Sequence, residues 1–113
     1  KGTHIMLKTL TKYDYREIFC EALRNSKLQQ CTGAFTRNGN VCDLVDPGPK
    51  ITSVCALGIG IVTGIFEPYN IYGPPKAVGS VANRIGMDPD IIADANDGGK
   101  TFTEIANWID AQP

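Results

Sequence analysis

The chain has 113 residues, a mass of 12.2 kDa, 42% apolar residues and 20% charged residues. That is the size and composition of one small globular domain, and it excludes a separate substrate domain, a large α/β barrel, a coiled coil, collagen and wholesale disorder. Eleven Lys and Arg against 12 Asp and Glu leave a formal charge of −1, too near neutrality for a general nucleic-acid binder.

Lys1–Ile5, ahead of Met6, reads as a tag remnant and cloning scar, leaving 6–113 as the single globular domain. The only histidine, His4, falls inside that scar. Thr11-Lys12-Tyr13-Asp14 then opens a helix, with Thr11 able to cap free backbone N–H groups and Asp14 at the positive end of the dipole. Tyr15, Ile18, Phe19, Ala22 and Leu23 recur at helical spacing, and Arg16, Glu17, Glu21 and Arg24 fall mostly opposite them. The spacing predicts a helix over 12–26. Gly33–Cys42 reads as a short β-hairpin, because Asn38-Gly39 suits the two positive-φ positions of a type I′ turn. Asp46-Pro47-Gly48-Pro49 is a loop.

Val54–Phe66 is the most apolar run, 13 residues holding three glycines. It is short of the roughly 20 residues that span a bilayer. Strand and helix compete there. A buried helix capped by Ser53 is preferred, with Cys55, Ala56, Gly58, Gly60 and Gly64 letting another element come close. Each glycine costs a helix about 1 kcal/mol against alanine, so packing must offset them. Glu67–Pro75 reads as an irregular connection and Lys76–Ile85 as a helix stopped by Gly86. Asp88-Pro89 starts the next helix, Asp88 as N-cap and Pro89 in the first turn, running to about Asn96. After the Asp97-Gly98-Gly99 turn, Thr101-x-x-Glu104 is a capping box for a last helix with Phe102, Ile105, Ala106 and Ile109 on its apolar face. The expected fold is mainly α (α+β): four to five helices around one core, with one small β-hairpin.

Several motifs invite chemistry and fall short of it. Val81–Ile92 has the apolar and glycine spacing of a helix-turn-helix, but its second helix carries Asp88, Asp90 and Asp94, with Asp97 just beyond, which would repel phosphates. Gly98-Gly99-Lys100-Thr101 lacks the earlier glycine of a phosphate loop, since that position is Asp94. A calcium loop begun at Asp94 has glycine at its sixth place but Ile105 where the bidentate Glu belongs. Cys20, Cys31, Cys42 and Cys55 form no C-x₂₋₄-C pair, so no metal is expected. With no export signal, and Cys20 within a helical pattern, the thiols read as reduced and the protein as cytoplasmic, with no membrane partner. Cys55 at a helix start is the one thiol whose pKa could be lowered there. The close acid pairs Asp43/Asp46 and Asp94/Asp97 read as surface residues.

Three pieces in order, Cys31-Thr32-Gly33-Ala34, Ser53-Val54-Cys55-Ala56-Leu57-Gly58 and Asn96-Asp97 followed by Thr101-Phe102-x-Glu104-Ile105, carry a resemblance. The chain resembles a family of small bacterial and phage proteins classed as a domain of unknown function, with C-x-G-A, C-A-L-G-A and N-D…T-x-x-E motifs. Ile59 stands where that family usually has alanine. The resemblance implies that Val54–Phe66 is helical and that Cys31, Cys55, Asn96 and Asp97 lie together, as a polar core network or as a pocket. It implies no activity or cofactor.

Charge locates the surface expected to act. Residues 1–42 carry +4 and residues 43–113 carry −5, so a basic partner should meet the C-terminal part. The function expected is a non-enzymatic accessory or protein-interaction domain of phage or mobile-element origin. Asp88, Asp90, Asp94 and Asp97 would be its contact residues, and no cofactor is expected. One alternative is a small thiol or hydrolase-type enzyme built on Cys55 with Asn96 and Asp97. A second is a helix-turn-helix-like, DNA-associated regulator, which the acidic second helix disfavours. Gly60-x-x-x-Gly64 would permit close helix packing in a homodimer and serves packing within one chain equally well.

Overall fold

Helix α1, Lys12–Arg24, begins where Thr11 and Asp14 close a capping box. The Asp14 N–H donates to Thr11 Oγ1 at 3.2 Å and the Thr11 N–H to Asp14 Oδ2 at 2.9 Å. The structure, a computed structural model, describes residues 10–66 and 84–113. The predicted connection Glu67–Pro75 and nearly all of the predicted helix Lys76–Ile85 lie outside the described residues. Strand β1 is Gln29–Gln30, a single 3₁₀ turn spans Val41–Leu44, and strand β2 is Ser53–Val54. Helices α2, Ala56–Val62, α3, Pro89–Asp97, and α4, Phe102–Asp110, complete the described elements. The described chain is mainly α with a small β part.

The β part is not the expected hairpin. Strands β1 and β2 pair in parallel, Gln29 with Ser53 and Gln30 with Val54. The hairpin fails at its turn. Among the described residues no non-glycine residue has positive φ, and Gly39 is not among the positive-φ glycines, so Asn38-Gly39 does not form a type I′ turn. Asn38 instead donates its side-chain N–H to the Lys50 carbonyl, and a Cβ on Gly39 would meet Ile51 at 2.7 Å. Local side-chain hydrogen bonds and packing displace the strand pairing there.

Helix α1 also turns a different face inward. The buried stripe is Arg16, Phe19, Cys20 and Leu23, spaced i, i+3, i+4, i+7. Ile18 is 42% exposed while Arg16 is only 6% exposed. Burial of a guanidinium is tolerable when its N–H groups find acceptors. Arg16 Nε donates to the Ile85 carbonyl at 2.6 Å, and Nη1 donates to the Gln112 and Pro113 carbonyls at 3.3 and 3.0 Å. It thereby ties α1 to the turn before α3 and to the chain beyond α4.

The run from Ser53 divides between a strand and a helix. Ser53 is not the cap: it lies in β2, and its hydroxyl accepts the Arg37 N–H at 3.2 Å. Cys55 caps α2, its Sγ accepting the Gly58 N–H at 3.4 Å. The helix ends at Val62 because Gly64, at φ 80°, closes a Schellman motif. Its two bonds run from the Gly64 N–H to the Ile61 carbonyl at 3.1 Å and from the Ile65 N–H to the Gly60 carbonyl at 2.7 Å. The chain then doubles back and lays Phe66 on Gly60. Phe66 also meets Phe19 edge to face at 5.7 Å, joining α1 to α2 across a core that includes Leu23, Leu44, Ile59, Ile92, Ile105 and Ile109. The space over Gly60 is therefore filled from within the chain. Among the described residues, no helix is long and apolar enough to cross a membrane.

Gly60→Ala tests this arrangement, because two effects oppose. Helix propensity favours alanine by about 1 kcal/mol. The added Cβ would lie 2.3 Å from a Phe66 ring carbon, an overpacking that costs about 1–3 kcal/mol or more in a filled core. The expected result is a net loss of about 2 kcal/mol in urea denaturation; a stabilised variant would contradict the packing.

Candidate functional site

The site grows from Asn96, a polar side chain only 1% exposed on the inner face of α3. A buried amide needs partners for both its ends, and Asn96 has them on three elements. Its Oδ1 accepts the Ala56 N–H at 3.0 Å and Gln30 Nε2 at 2.8 Å. Its Nδ2 donates to the Cys31 carbonyl at 2.9 Å and to Asp97 Oδ1 at 3.3 Å. Gln30 carries the network onward: Nε2 donates to the Lys100 carbonyl at 2.7 Å, and Oε1 accepts the Phe102 N–H at 3.0 Å. The start of α4 is thus tied to β1 and α3.

Asp97 Oδ1 also accepts the Gly33 N–H at 3.0 Å. Gly33 sits at φ 77°, a backbone conformation that L side chains rarely adopt, and this bend presents its amide to the carboxylate. The Cys31 thiol donates to the Ala34 carbonyl at 3.6 Å. These contacts frame a cavity of about 200 Å³ lined by Gly33, Ala34, Phe35, Cys55, Leu57, Ala93, Asn96 and Asp97. The structure brings Cys31, Cys55, Asn96 and Asp97 together. Gln30 and Arg16 carry much of the wiring and had no motif to announce them.

The chemistry of the cluster is quiet. Position at the start of a helix does not lower the Cys55 pKa. Burial pushes it up, to about 11, against weaker opposing hydrogen bonds from the Gly58 and Leu57 amides, with Cys31 and Asp97 nearby raising it further. The thiol therefore stays protonated and is a poor nucleophile at neutral pH. The Asn96 amide is fully engaged in holding backbone. Among the described residues, no three His, Cys, Asp or Glu side chains form a group that could hold a metal ion.

The other candidate motifs resolve into local structure. Asp94 and Asn96 lie within α3 rather than in a calcium loop. Gly98 and Gly99 close that helix, Gly99 at φ 100°, with the Lys100 N–H on the Ala95 carbonyl at 3.0 Å. Thr101 and Glu104 then form the capping box of α4. Asp88 caps α3 by accepting the Asp90 N–H at 2.9 Å. Asp88, Asp90, Asp94 and Asp97 are all exposed, and Ile91 among them is 49% exposed. No family model, curated protein or solved structure matches the chain.

Two outcomes are expected. Asn96→Ala leaves the Ala56 N–H and Cys31 carbonyl without their partner, at about 1–3 kcal/mol for each buried group. A loss of about 3 kcal/mol should appear in thermal denaturation, and an unchanged midpoint would contradict the network. The second outcome concerns alkaline pH. Cys20, buried beside Asp110, is raised to about 12 and Cys55 to about 11, from an ordinary value of 9.0. Their stabilising effect is complete below the unfolded value and is lost as pH rises through the folded values. Stability should therefore fall from about pH 9 upward, with a shallower slope in Cys20→Ala; equal slopes would refute the assignment.

Proposed function

We propose that this chain is a non-enzymatic protein-interaction domain that meets a basic protein partner on the outer face of α3. The observation that carries this reading is the division of labour on that helix. Ile92 and Asn96 face inward and are buried, while Asp88, Asp90, Asp94 and Asp97 stand in solvent around the half-exposed Ile91. Acidic side chains flanking an exposed aliphatic one suit a contact with an apolar centre and a charged rim. None of the four aspartates is in an ion pair among the described residues, where the one such pair is Arg24 with Asp110 at 2.6 Å.

The enzyme alternative draws little support. Cys55 is held as a thiol and Asn96 is spent on backbone contacts, so the cluster offers no activated nucleophile. A DNA-reading role for α3 is opposed by the same aspartates. A cytoplasmic setting is supported by Cys20, Cys31, Cys42 and Cys55, which are all free. Membership of the domain-of-unknown-function family belongs to the same proposal, supported by the placing of its C-x-G-A, C-A-L-G and N-D segments around one cluster.

Isothermal titration with short poly-lysine tests the reading. Exposed ion pairs contribute about 0.2–1 kcal/mol each, so replacing all four aspartates by Asn should weaken binding about tenfold. Asn at position 88 still caps the helix. Affinity should also fall several-fold between low and physiological salt. Equal affinity of the variant and the parent would sink the proposal.

A further inference from the structure

We propose that the cavity beside Asp97 receives a lysine side chain presented by the basic partner. This deepens the interaction reading and rests on it. The cavity, about 200 Å³, lies below the roughly 300–1,000 Å³ of pockets for drug-sized ligands, and is of the size for one long side chain. Phe35, Leu57 and Ala93 give it apolar walls, and Asp97 is the one charged side chain in its lining. Cys55, 8% exposed, adds a thiol that carries no charge at neutral pH. A matching group has an aliphatic stem and a single positive charge at its tip.

The hydrogen bonding of Asp97 selects lysine over arginine. Oδ1 is already taken by the Gly33 N–H at 3.0 Å and Asn96 Nδ2 at 3.3 Å. Oδ2 accepts no hydrogen bond from the described residues. Arginine recognises a carboxylate best through both oxygens at once, with its planar fork. An ammonium is a compact point charge that one oxygen can satisfy. The two bonds on Oδ1 also orient the carboxylate in advance, so an incoming lysine need not order it. The stem of a lysine can lie against apolar walls while its head stays polar.

The test is an amide NMR titration of the whole chain with n-butylammonium, with n-propylguanidinium, and with a Gly-Ser-Lys-Ser-Gly peptide, free or acetylated on its lysine. Butylammonium and the free peptide should shift the amides of Gly33, Phe35, Leu57 and Ala93 saturably, the peptide at lower concentration. Acetylation, the guanidinium probe and Asp97→Asn should each weaken the effect at least fivefold. Ala93→Phe, which fills the cavity from one helical turn before Asp97 and leaves that carboxylate in the chain, should abolish it and decides the matter if Asp97→Asn does not fold. Shifts scattered over the surface without saturation, or equal binding by Asp97→Asn, would overturn the proposal. Butylammonium outperforming the peptide would make a free amine the ligand, which also overturns it. If the cavity stays silent while poly-lysine binding still depends on the four aspartates, only the pocket falls; if poly-lysine binding is independent of them, the interaction reading falls as well.

Discussion

The carboxamide of Asn96 is the constraint on which much of the described structure depends. In a domain of this size the helices are short, and α2 has only seven residues, too few to hold a helix by local propensity. What holds α2 is tertiary contact. Asn96 takes the Ala56 N–H, one of the orphan donors of the first turn, and Cys55 takes the Gly58 N–H, another. The other end of the same amide holds the Cys31 carbonyl, one residue beyond β1, so the relation of β1 to α2 is set by one side chain on α3. Gln30 adds α4 through the Phe102 N–H. A hydrophobic core alone leaves many relative rotations of such elements close in energy. A buried amide that must satisfy both ends allows few.

The glycines of α2 follow from the same closeness. Every residue from Ala56 to Ile61 is buried, which requires neighbours on all sides of the helix. A Cβ on Gly58 would meet the Phe35 carbonyl at 2.9 Å, and one on Gly60 would strike the Phe66 ring. Both contacts need the backbone itself to be the packing surface. The propensity lost to the glycines is offset by the approach of the 33–35 segment on one side and Phe66 on another. The first of these approaches also forms one wall of the cavity, so the packing of α2 and the existence of the cavity have one cause.

What could be read in the sequence was local. Thr11 with Asp14, Thr101 with Glu104, and Asp88-Pro89 each act within about four residues of themselves, and all three helix starts lie where those residues place them. The need for a packing reason behind Gly58 and Gly60 was legible from their cost. The nearness of Cys31, Cys55, Asn96 and Asp97 came through resemblance rather than through spacing. What could not be read depended on distant partners. The Gln29–Gln30 strand pairs in parallel with one more than twenty residues away, and two consecutive glutamines carry no strand signal. Arg16 reads as a surface residue until the Ile85, Gln112 and Pro113 carbonyls supply acceptors for it. Asn38-Gly39 is a turn signal only if two strands flank it, and neither forms.

The structural duty of Asp97 and the lysine contact proposed for it are compatible because they use different oxygens of one carboxylate. Oδ1 belongs to the fold, fixing the Gly33 bend and abutting the Asn96 amide. Oδ2 faces no such duty among the described residues. A group that serves only structure is normally buried with all its bonding capacity met, as Asn96 is. A group that serves only solubility is normally unconstrained, as a surface aspartate such as Asp94 can be. Asp97 is exposed yet held in place, at the rim of an apolar cavity, with bonding capacity left over. Preorganised polar groups beside apolar surface let a site bind with little cost of ordering itself, which is why the proposed recognition is placed on the Asp97 carboxylate rather than on the buried Cys55 thiol in the same lining.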